Sequence, residues 1–332
     1  MSLLHAYRLQ HNLRRLALSH PESFSVGVEV GSGRRLWDRA VISHVLPVPG
    51  VSHVEVHACD DGRVRYGNLL DANSWRSPVS AYYKSIELAR RLEHCTSVAA
   101  SRGFSPVMIT LTLRHSRDDS LSSVLNLLRR AWRYFSGGVW WQAHRPSLPV
   151  VRRLEITWSS SNGWHPHLHL LSFFPSDAAP DLEPWRDRWL AAVRRFGGDA
   201  LPGIAFHVSA GGDALSSYVS KLHLEFSMSR SKSGLSVYHM LDNPRVHEAQ
   251  IVEFYAATRG VHFIGGVPQL MAALGVTDDD IPQEAAAWNL VLSLTVDQYL
   301  WLVERDLAVD FLTHCLLVPS PSFDNYLASL AS

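Results

Sequence analysis

The chain has few cysteines and no long hydrophobic run, and each shortage excludes a class of protein. Its three cysteines, Cys59, Cys95 and Cys315, fit neither a disulfide framework nor a CxxC metal site. The segment "MSLLHAYRLQHNLRRLALSH" interrupts its apolar runs with basic residues, unlike a signal peptide, and no window reaches the roughly 18 apolar residues of a membrane helix. We therefore expect a folded protein of the reducing cytoplasm, with no membrane partner.

The formal net charge of zero conceals a strong asymmetry along the 332 residues. Lys and Arg outnumber Asp and Glu by 12 to 9 in residues 1–100 and by 16 to 10 in residues 101–240, whereas residues 241–332 hold 3 basic against 12 acidic side chains. A basic middle predicts contact with phosphates. Ordinary solvation of different surfaces is the alternative, and charge alone does not decide between them.

The basic middle shows a clear order of elements. Alternating apolar residues predict strands, and apolar stripes at helical spacing predict helices. The strands are predicted at 107–113, 151–158, 164–173 and 204–209, and the helices at 121–135, 183–196 and 213–226. This β-α-β-β-α-β-α order predicts an α+β fold, a ferredoxin-like split βαβ antiparallel sheet with helices on one face.

Composition predicts the domain organisation. Residues 1–100 form an N-terminal extension, residues 101–226 the split βαβ domain, and the Ser-rich, basic stretch 227–236 a linker. Residues 237–332 are acidic and mainly helical, with a Thr-x-x-Gln capping signal at the start of "TVDQYLWLVERDLAVDFLTHCLL".

Three histidines alternate with other residues in "NGWHPHLHLLSF", directly after an Asn-Gly turn signal. Side chains at i and i+2 of a strand share a face, so His167 and His169 are placed to hold one metal ion. A three-residue loop at 161–163 would put Glu155 opposite His169, whereas a two-residue loop at 162–163 would turn Glu155 to the other face. We favour the three-residue loop because it gathers the polar groups.

A divalent ion, Mg²⁺ or Mn²⁺, is the predicted cofactor. Two imidazoles and one carboxylate leave coordination positions open for a substrate oxygen. His165 points the same way but lies nearer the turn, so we interpret it as a residue that supports a ligand or contacts DNA. The alternative is that all three are surface histidines of an amphipathic strand.

A lysine is notable because the chain has three, Lys84, Lys221 and Lys232, against 28 arginines. In "SSYVSKL", Tyr218 and Lys221 are three residues apart and share a helical face. A compact ammonium beside a phenol can neutralise phosphate charge or assist attack by the phenolate. An ordinary amphipathic helix would give the same short pattern.

Three segments, "MITLTLRHS", "GWHPHLHLLSF" and "SYVSKL", in this order, resemble the three motifs of HUH endonucleases, specifically of rolling-circle plasmid replication initiators. The resemblance covers about residues 65–276. It includes the hairpin "RRLEITWSSSNGWHPHLH" with its acidic residue, and "IVEFYAATRGVHFIGGVPQLMAALGV" is similar to the tail segment of one branch.

The resemblance implies a function and a site. His167 and His169 would be the HUH metal ligands, with Glu155 as the third. Tyr218 would be the nucleophile that forms a 5′-phosphotyrosine bond with nicked origin DNA, and Lys221 its motif partner. Because the chain has no GxxxxGK[ST] motor motif, a host helicase and a polymerase are the expected partners besides single-stranded or hairpin origin DNA.

Relatives in this family often carry a cysteine cluster before the first motif, and here the cluster is lost. The segment "LLDANSWRSPVSAYYKSIELARR" keeps Trp75 and Pro78, but Asp71, Ser77 and Ser80 stand where cysteines would. We therefore expect no structural zinc in the N-terminal region.

Some relatives place the nucleophilic tyrosine four residues later, where this chain has Leu222, so Tyr218 is the tyrosine available in the motif. Glu225, on the same predicted helix, would take the carboxylate role that lets water end the reaction in some relatives. Rival functions are an HUH transposase or relaxase, a non-catalytic origin-binding regulator, and a barrel-type metallohydrolase. The last needs eight βα units and an HxH pair early in its domain, which this sequence lacks.

Overall fold

The structure is a computed structural model that describes residues 2–28, 35–210, 234–282 and 287–331. It divides into two compact units. Unit 1 contains Met1–Ser85, Met240–Ala256 and Gln283–Ser332, and unit 2 contains Ile86–His239 and Ala257–Pro282. The predicted domain boundaries near residues 100, 226 and 236 stay predictions.

The described residues form ten strands and fourteen helices. The strands are β1 Ser25–Val28, β2 Arg35–Trp37, β3 His53–Cys59, β4 Val64–Tyr66, β5 Phe104–Leu111, β6 Val151–Ser159, β7 Gly163–Pro175, β8 Phe206–Ala210, β9 Ile264–Gly265 and β10 Trp288–Thr295. The helices are α1 Leu3–Ser19, α2 Pro21–Phe24, α3 Arg39–Ile42, α4 Pro78–Ser101, α5 Leu121–Phe135, α6 Gly138–His144, α7 Glu183–Arg195, α8 Pro202–Ala205, α9 Val237–Asp242, α10 Glu248–Ala257, α11 Val267–Leu274, α12 Val296–Glu304, α13 Ala308–Leu317 and α14 Phe323–Ala331.

Unit 2 is built on a five-stranded antiparallel sheet in the order β8-β5-β7-β6-β9. Strand β7 lies between β5 and β6, which is the split βαβ arrangement of the β5-α5-β6 unit. The predicted α+β fold with its antiparallel sheet is confirmed. The short edge strand β9, which pairs with Arg152 and Arg153 of β6, was not predicted.

Helix α5 forms because its apolar residues recur at helical spacing and Ser120 caps its first turn. Its buried residues are Leu121, Val124, Leu125, Leu128, Ala131 and Phe135, and its arginines are exposed. Trp132, predicted on the buried stripe, is only half-buried. Helix α7 buries Trp185 and Trp189, and the indole of Trp189 donates a hydrogen bond to the carbonyl oxygen of Thr112 over 2.8 Å.

The β6–β7 hairpin has a different register from either one predicted. Ser159 lies opposite Gly163 and Glu155 opposite His167, so the connecting loop is 160–162 and the predicted pairing of Glu155 with His169 is wrong. Gly163 has a φ of 72°, and a Cβ there would lie 2.8 Å from the carbonyl oxygen of Arg117. A glycine adopts this left-handed conformation without strain, which lets it end the loop one residue early. The observed pairing differs by two residues from the one predicted with the three-residue loop. Because side chains alternate between the two faces of a strand, this difference keeps Glu155 on the predicted face.

Unit 1 contains a second antiparallel sheet, in the order β10-β3-β4, together with the two-stranded β1–β2 sheet. Its core includes Val54, Val56, Val64, Leu294, Leu302, Phe311 and Leu312. Two buried phenols in this core have acceptors: Tyr66 donates to the carbonyl oxygen of Ala308 over 2.6 Å and Tyr299 to that of Val45 over 3.0 Å.

A hydrogen-bonded cluster in unit 1 includes Asp71, Ser77 and Ser80, the residues at which no zinc-binding cysteine is found in the sequence. The Ser80 hydroxyl donates to Asp71 over 2.5 Å, and the Ser77 hydroxyl donates to Gln10 over 2.9 Å. The ring of His44, whose Nε2 lies 3.3 Å from Oδ1 of Asp71, holds the pKa of the Asp71 carboxyl well below its usual range. Hydrogen bonds between side-chain oxygens therefore connect α1, the loop before α4 and the start of α4.

The C-terminal region agrees with the predicted capping signal and adds a strand. Thr295 and Gln298 form a reciprocal capping box at the start of α12. Strand β10, just before it, pairs with β3 and was not predicted. The three cysteines are buried and unpaired. Among the described residues, no helix is both long and apolar enough to cross a bilayer.

Candidate metal centre

Three polar side chains of β6 and β7 converge on one face of the unit 2 sheet. An Oε2 of Glu155 lies 2.7 Å from Nε2 of His167 and 2.5 Å from Nε2 of His169. All three side chains are buried, and their ligand atoms lie within 4.8 Å of one another. Two imidazole nitrogens and a carboxylate oxygen in this arrangement are able to hold a metal ion.

Strand alternation produces this convergence. His167 and His169 are two residues apart on β7, and Glu155 is opposite His167 on β6, so all three project from the same face. Leu154 and Leu168, the neighbours in sequence, are buried on the other face, which α5 covers. The hydrophobic core thereby fixes the direction of the ligands.

Thr110 of β5 orients His169. It is paired with His169 in the sheet, and its hydroxyl oxygen lies 3.0 Å from Nδ1 of the ring. A hydrogen bond at Nδ1 fixes the ring's orientation and leaves Nε2 for the shared centre. The prediction included this strand but assigned Thr110 no role, although its place in "MITLTL" two residues from Thr112 marks the polar face of β5.

The charge state of Glu155 suits a ligand. Burial by itself would raise the pKa of the carboxyl, but His167 and His169 outweigh it through charge and hydrogen bonds and hold the pKa well below its ordinary value. The carboxylate is therefore ionised at neutral pH, as metal binding requires.

A buried arginine shares the face of the three ligands. Arg153 lies opposite His169, two residues before Glu155, and its side chain is 2% exposed. Arginine keeps its charge in such surroundings, so it adds fixed positive charge beside the centre. Arg153 was not predicted from the sequence, although the two-residue spacing in "RRLE" would have placed it there.

A second pair of histidines adjoins the centre. Nδ1 of His165 lies 2.5 Å from Nε2 of His115, and the rings of His165 and His167 are 5.1 Å apart. Burial, with contributions from His167 and His115, lowers the pKa of His165 to about 4, so the ring is neutral at physiological pH. His165 thus packs beside the ligands, as predicted, while His115 was missed; it follows strand β5 in the segment "RHS".

A groove runs beside this histidine pair. It is lined by residues that include Thr112, Arg114, His115, Arg117 and His165. Its basic side chains lie next to the candidate centre on unit 2.

The predicted catalytic pair lies outside the described residues. Strand β8 ends at Ala210, and Tyr218, Lys221 and Glu225 fall in the undescribed segment 211–233. The predicted helix at 213–226 and most of the predicted linker fall there too. Gly234 and Leu235, directly after this segment, are described, and Leu235 pairs with Trp158 at the end of β6.

The chain is similar to one curated relative, "Protein rep" from Streptomyces lividans. The two are 25% identical, and the match covers 40% of this chain and 39% of the relative. No protein-family model and no solved structure matches the chain. The match to a Rep protein supports the resemblance to Rep-type initiators that the three sequence motifs indicated.

Proposed function

We propose that this protein is a replication initiator that nicks and rejoins single-stranded DNA at a plasmid or phage origin and so starts rolling-circle replication. The observation that carries the proposal is the buried group of Glu155, His167 and His169 on the central hairpin of a split βαβ sheet. The similarity to a Rep protein supports it independently.

The donor set fits a divalent cation. Glu155 supplies an ionised oxygen, His167 and His169 supply Nε2 atoms, and Thr110 orients one of the rings. A bound Mg²⁺ or Mn²⁺ would supply Lewis acidity toward a phosphate oxygen. The arginines and histidines of the adjacent groove would position the strand.

The reaction is a phosphoryl transfer to Tyr218. The phenol oxygen of Tyr218 attacks the scissile phosphorus, the bond from phosphorus to the 3′ oxygen breaks, and a phenol-to-phosphate bond forms at the 5′ end. The phenol proton passes to solvent, and the leaving oxygen is protonated to a free 3′-OH that a polymerase extends. Lys221 neutralises phosphate charge beside the phenol. The covalent bond keeps the phosphodiester energy, so attack by a 3′-OH rejoins strands without ATP.

The described tyrosines nearest in sequence are poor alternatives. Tyr238 is 6% exposed, and Tyr255 is 1% exposed with its hydroxyl donating to the carbonyl oxygen of Arg76 over 2.7 Å. Burial raises the pKa of Tyr255 far above its usual value. A phenol in the environment of Tyr255 neither reaches DNA nor ionises readily, so Tyr255 is a poor nucleophile.

The test is a covalent-adduct assay with single-stranded fragments of the protein's own replicon and Mn²⁺. Wild type should form a 5′-linked protein–DNA species, Tyr218→Phe should form none, and Tyr238→Phe should behave as wild type. Lys221→Arg should be impaired, because a planar guanidinium does not replace a compact ammonium. An adduct that persists in Tyr218→Phe would contradict the proposed nucleophile. Specific origin binding without an adduct in wild type would instead identify a non-catalytic regulator.

A further inference from the structure

We propose that a cleft on the helix-covered side of unit 2 binds a nucleotide unit of single-stranded DNA at a distance from the metal centre. The inference rests on the proposed function, because it supplies that function with a second DNA contact. The cleft lies between α5, the strands β6 and β7, and the segment 260–262 that precedes β9. Its lining is Leu125, Leu128, Arg129, Trp132, Arg133, Arg152, Leu154, Leu168, Gly260, Val261 and His262.

The charged side chains of this lining are all arginines. Arg129 and Arg133 are four residues apart on α5, so they lie one above the other on its exposed side. Arg152 approaches from β6 and donates a hydrogen bond to the carbonyl oxygen of His262 over 3.3 Å. Among the described residues, neither Arg129 nor Arg133 has an ion pair. Guanidinium groups gathered in this way match the bidentate geometry of phosphate oxygens.

The cleft also offers an aromatic surface. Trp132 is half-buried, unlike the other apolar residues of its stripe, and its ring lies 5.7 Å from the guanidinium carbon of Arg152. Four leucines form the floor. A phosphate binds arginine, whereas an unpaired base needs a flat or apolar partner, and this cleft provides both. Its volume of about 290 Å³ is at the lower end of small-ligand sites and suits one nucleotide unit rather than a duplex.

The cleft and the metal centre lie on opposite faces of the sheet. Leu154 and Leu168 line the cleft. Glu155 directly follows Leu154 and His167 directly precedes Leu168, so both point to the other face of the sheet. A nucleotide in the cleft therefore does not touch the reacting atoms. Its binding would hold the origin strand while another segment of the strand reaches the centre.

The test measures binding of a fluorescein-labelled oligothymidylate to the full chain without metal. Arg129→Gln with Arg133→Gln removes two cleft charges, and Arg145→Gln with Arg194→Gln removes two exposed arginine charges outside the lining. We expect the cleft variant to bind about tenfold more weakly than this control and to lower the slope of log affinity against log salt by about one unit or more. Equal binding by the two double variants would overturn the proposal.

A second measurement uses the wild-type protein and does not depend on how the variants fold. An iododeoxyuridine-substituted strand should crosslink to Trp132 on irradiation, as mapped by mass spectrometry. Crosslinking confined to other residues would overturn the cleft assignment. The cleft assignment would also be overturned if the cleft variant lost affinity for duplex DNA but kept its affinity for oligothymidylate. The covalent-adduct assay tests the proposed nicking separately from the cleft. If wild type forms no adduct but still crosslinks at Trp132, the proposed nicking is refuted and the proposed cleft is supported.

Discussion

Replacing Thr110 with Val tests whether the Thr110 hydroxyl on β5 orients the His169 ring of the candidate centre. Valine keeps the shape of threonine but removes the hydroxyl that lies 3.0 Å from Nδ1 of His169. The ring is 1% exposed, so water does not readily replace this hydrogen bond. Loss of a hydrogen bond to a buried group costs about 1–3 kcal/mol of unfolding free energy. Residues that orient a metal-bound imidazole typically contribute about 10- to 100-fold in metal affinity.

The assay is Mn²⁺ titration followed by electron paramagnetic resonance, together with urea unfolding of the metal-free protein. The matched control is Thr96→Val on α4, because the Thr96 hydroxyl is buried and has no hydrogen-bond partner among the described residues. We expect weaker Mn²⁺ binding and lower stability in Thr110→Val, and neither change in Thr96→Val. Wild-type Mn²⁺ affinity in Thr110→Val would refute the reasoning that this hydroxyl orients a ligand.

Three further predictions concern unit 1. Burial, with Arg14 and Arg15 contributing, lowers the pKa of His11 from 6.5 to about 4, so between these pH values the unfolded chain binds a proton that the folded chain does not. The free energy of unfolding should therefore fall by up to about 3 kcal/mol as the pH drops from 6.5 to 4. Urea titrations should show a smaller fall in His11→Leu. EDTA should neither extract a stoichiometric zinc nor unfold the protein, as read by circular dichroism and metal analysis, and one tightly held zinc per chain would contradict this. Arg76→Ala should cost roughly 3–5 kcal/mol in chemical unfolding, because it leaves Asp38, buried and 2.8 Å from the guanidinium, without this cation; a cost below about 1 kcal/mol would count against it.

The strands and helices of unit 2 could be predicted because their patterns are strong. Helix α5 has a wide apolar stripe and a serine cap, and β7 alternates polar and apolar residues across the histidines. The same alternation placed Glu155, His167 and His169 on one face. These features are local, so a single sequence carries them.

The parts that were missed depend on contacts between distant segments. The hairpin register follows from Gly163 approaching the backbone of Arg117, which no local pattern shows. Strand β9 has two residues, and β10 becomes a strand through pairing with β3, more than two hundred residues earlier in the chain. His115 contacts His165, beside the centre, because the chain after β5 passes the end of the hairpin. Such features need the tertiary structure.

The most direct test of the account is whether metal occupancy at Glu155, His167 and His169 controls covalent attachment to DNA. Mn²⁺ binding and adduct formation should be measured in parallel on wild type, His167→Ala and His169→Ala, with duplex DNA binding as the check that each variant remains folded. The account predicts that each variant loses bound Mn²⁺ and the adduct together while duplex affinity stays within about twofold, because phosphate contacts supply most of that affinity. Adduct formation by a variant that no longer binds Mn²⁺ would contradict it.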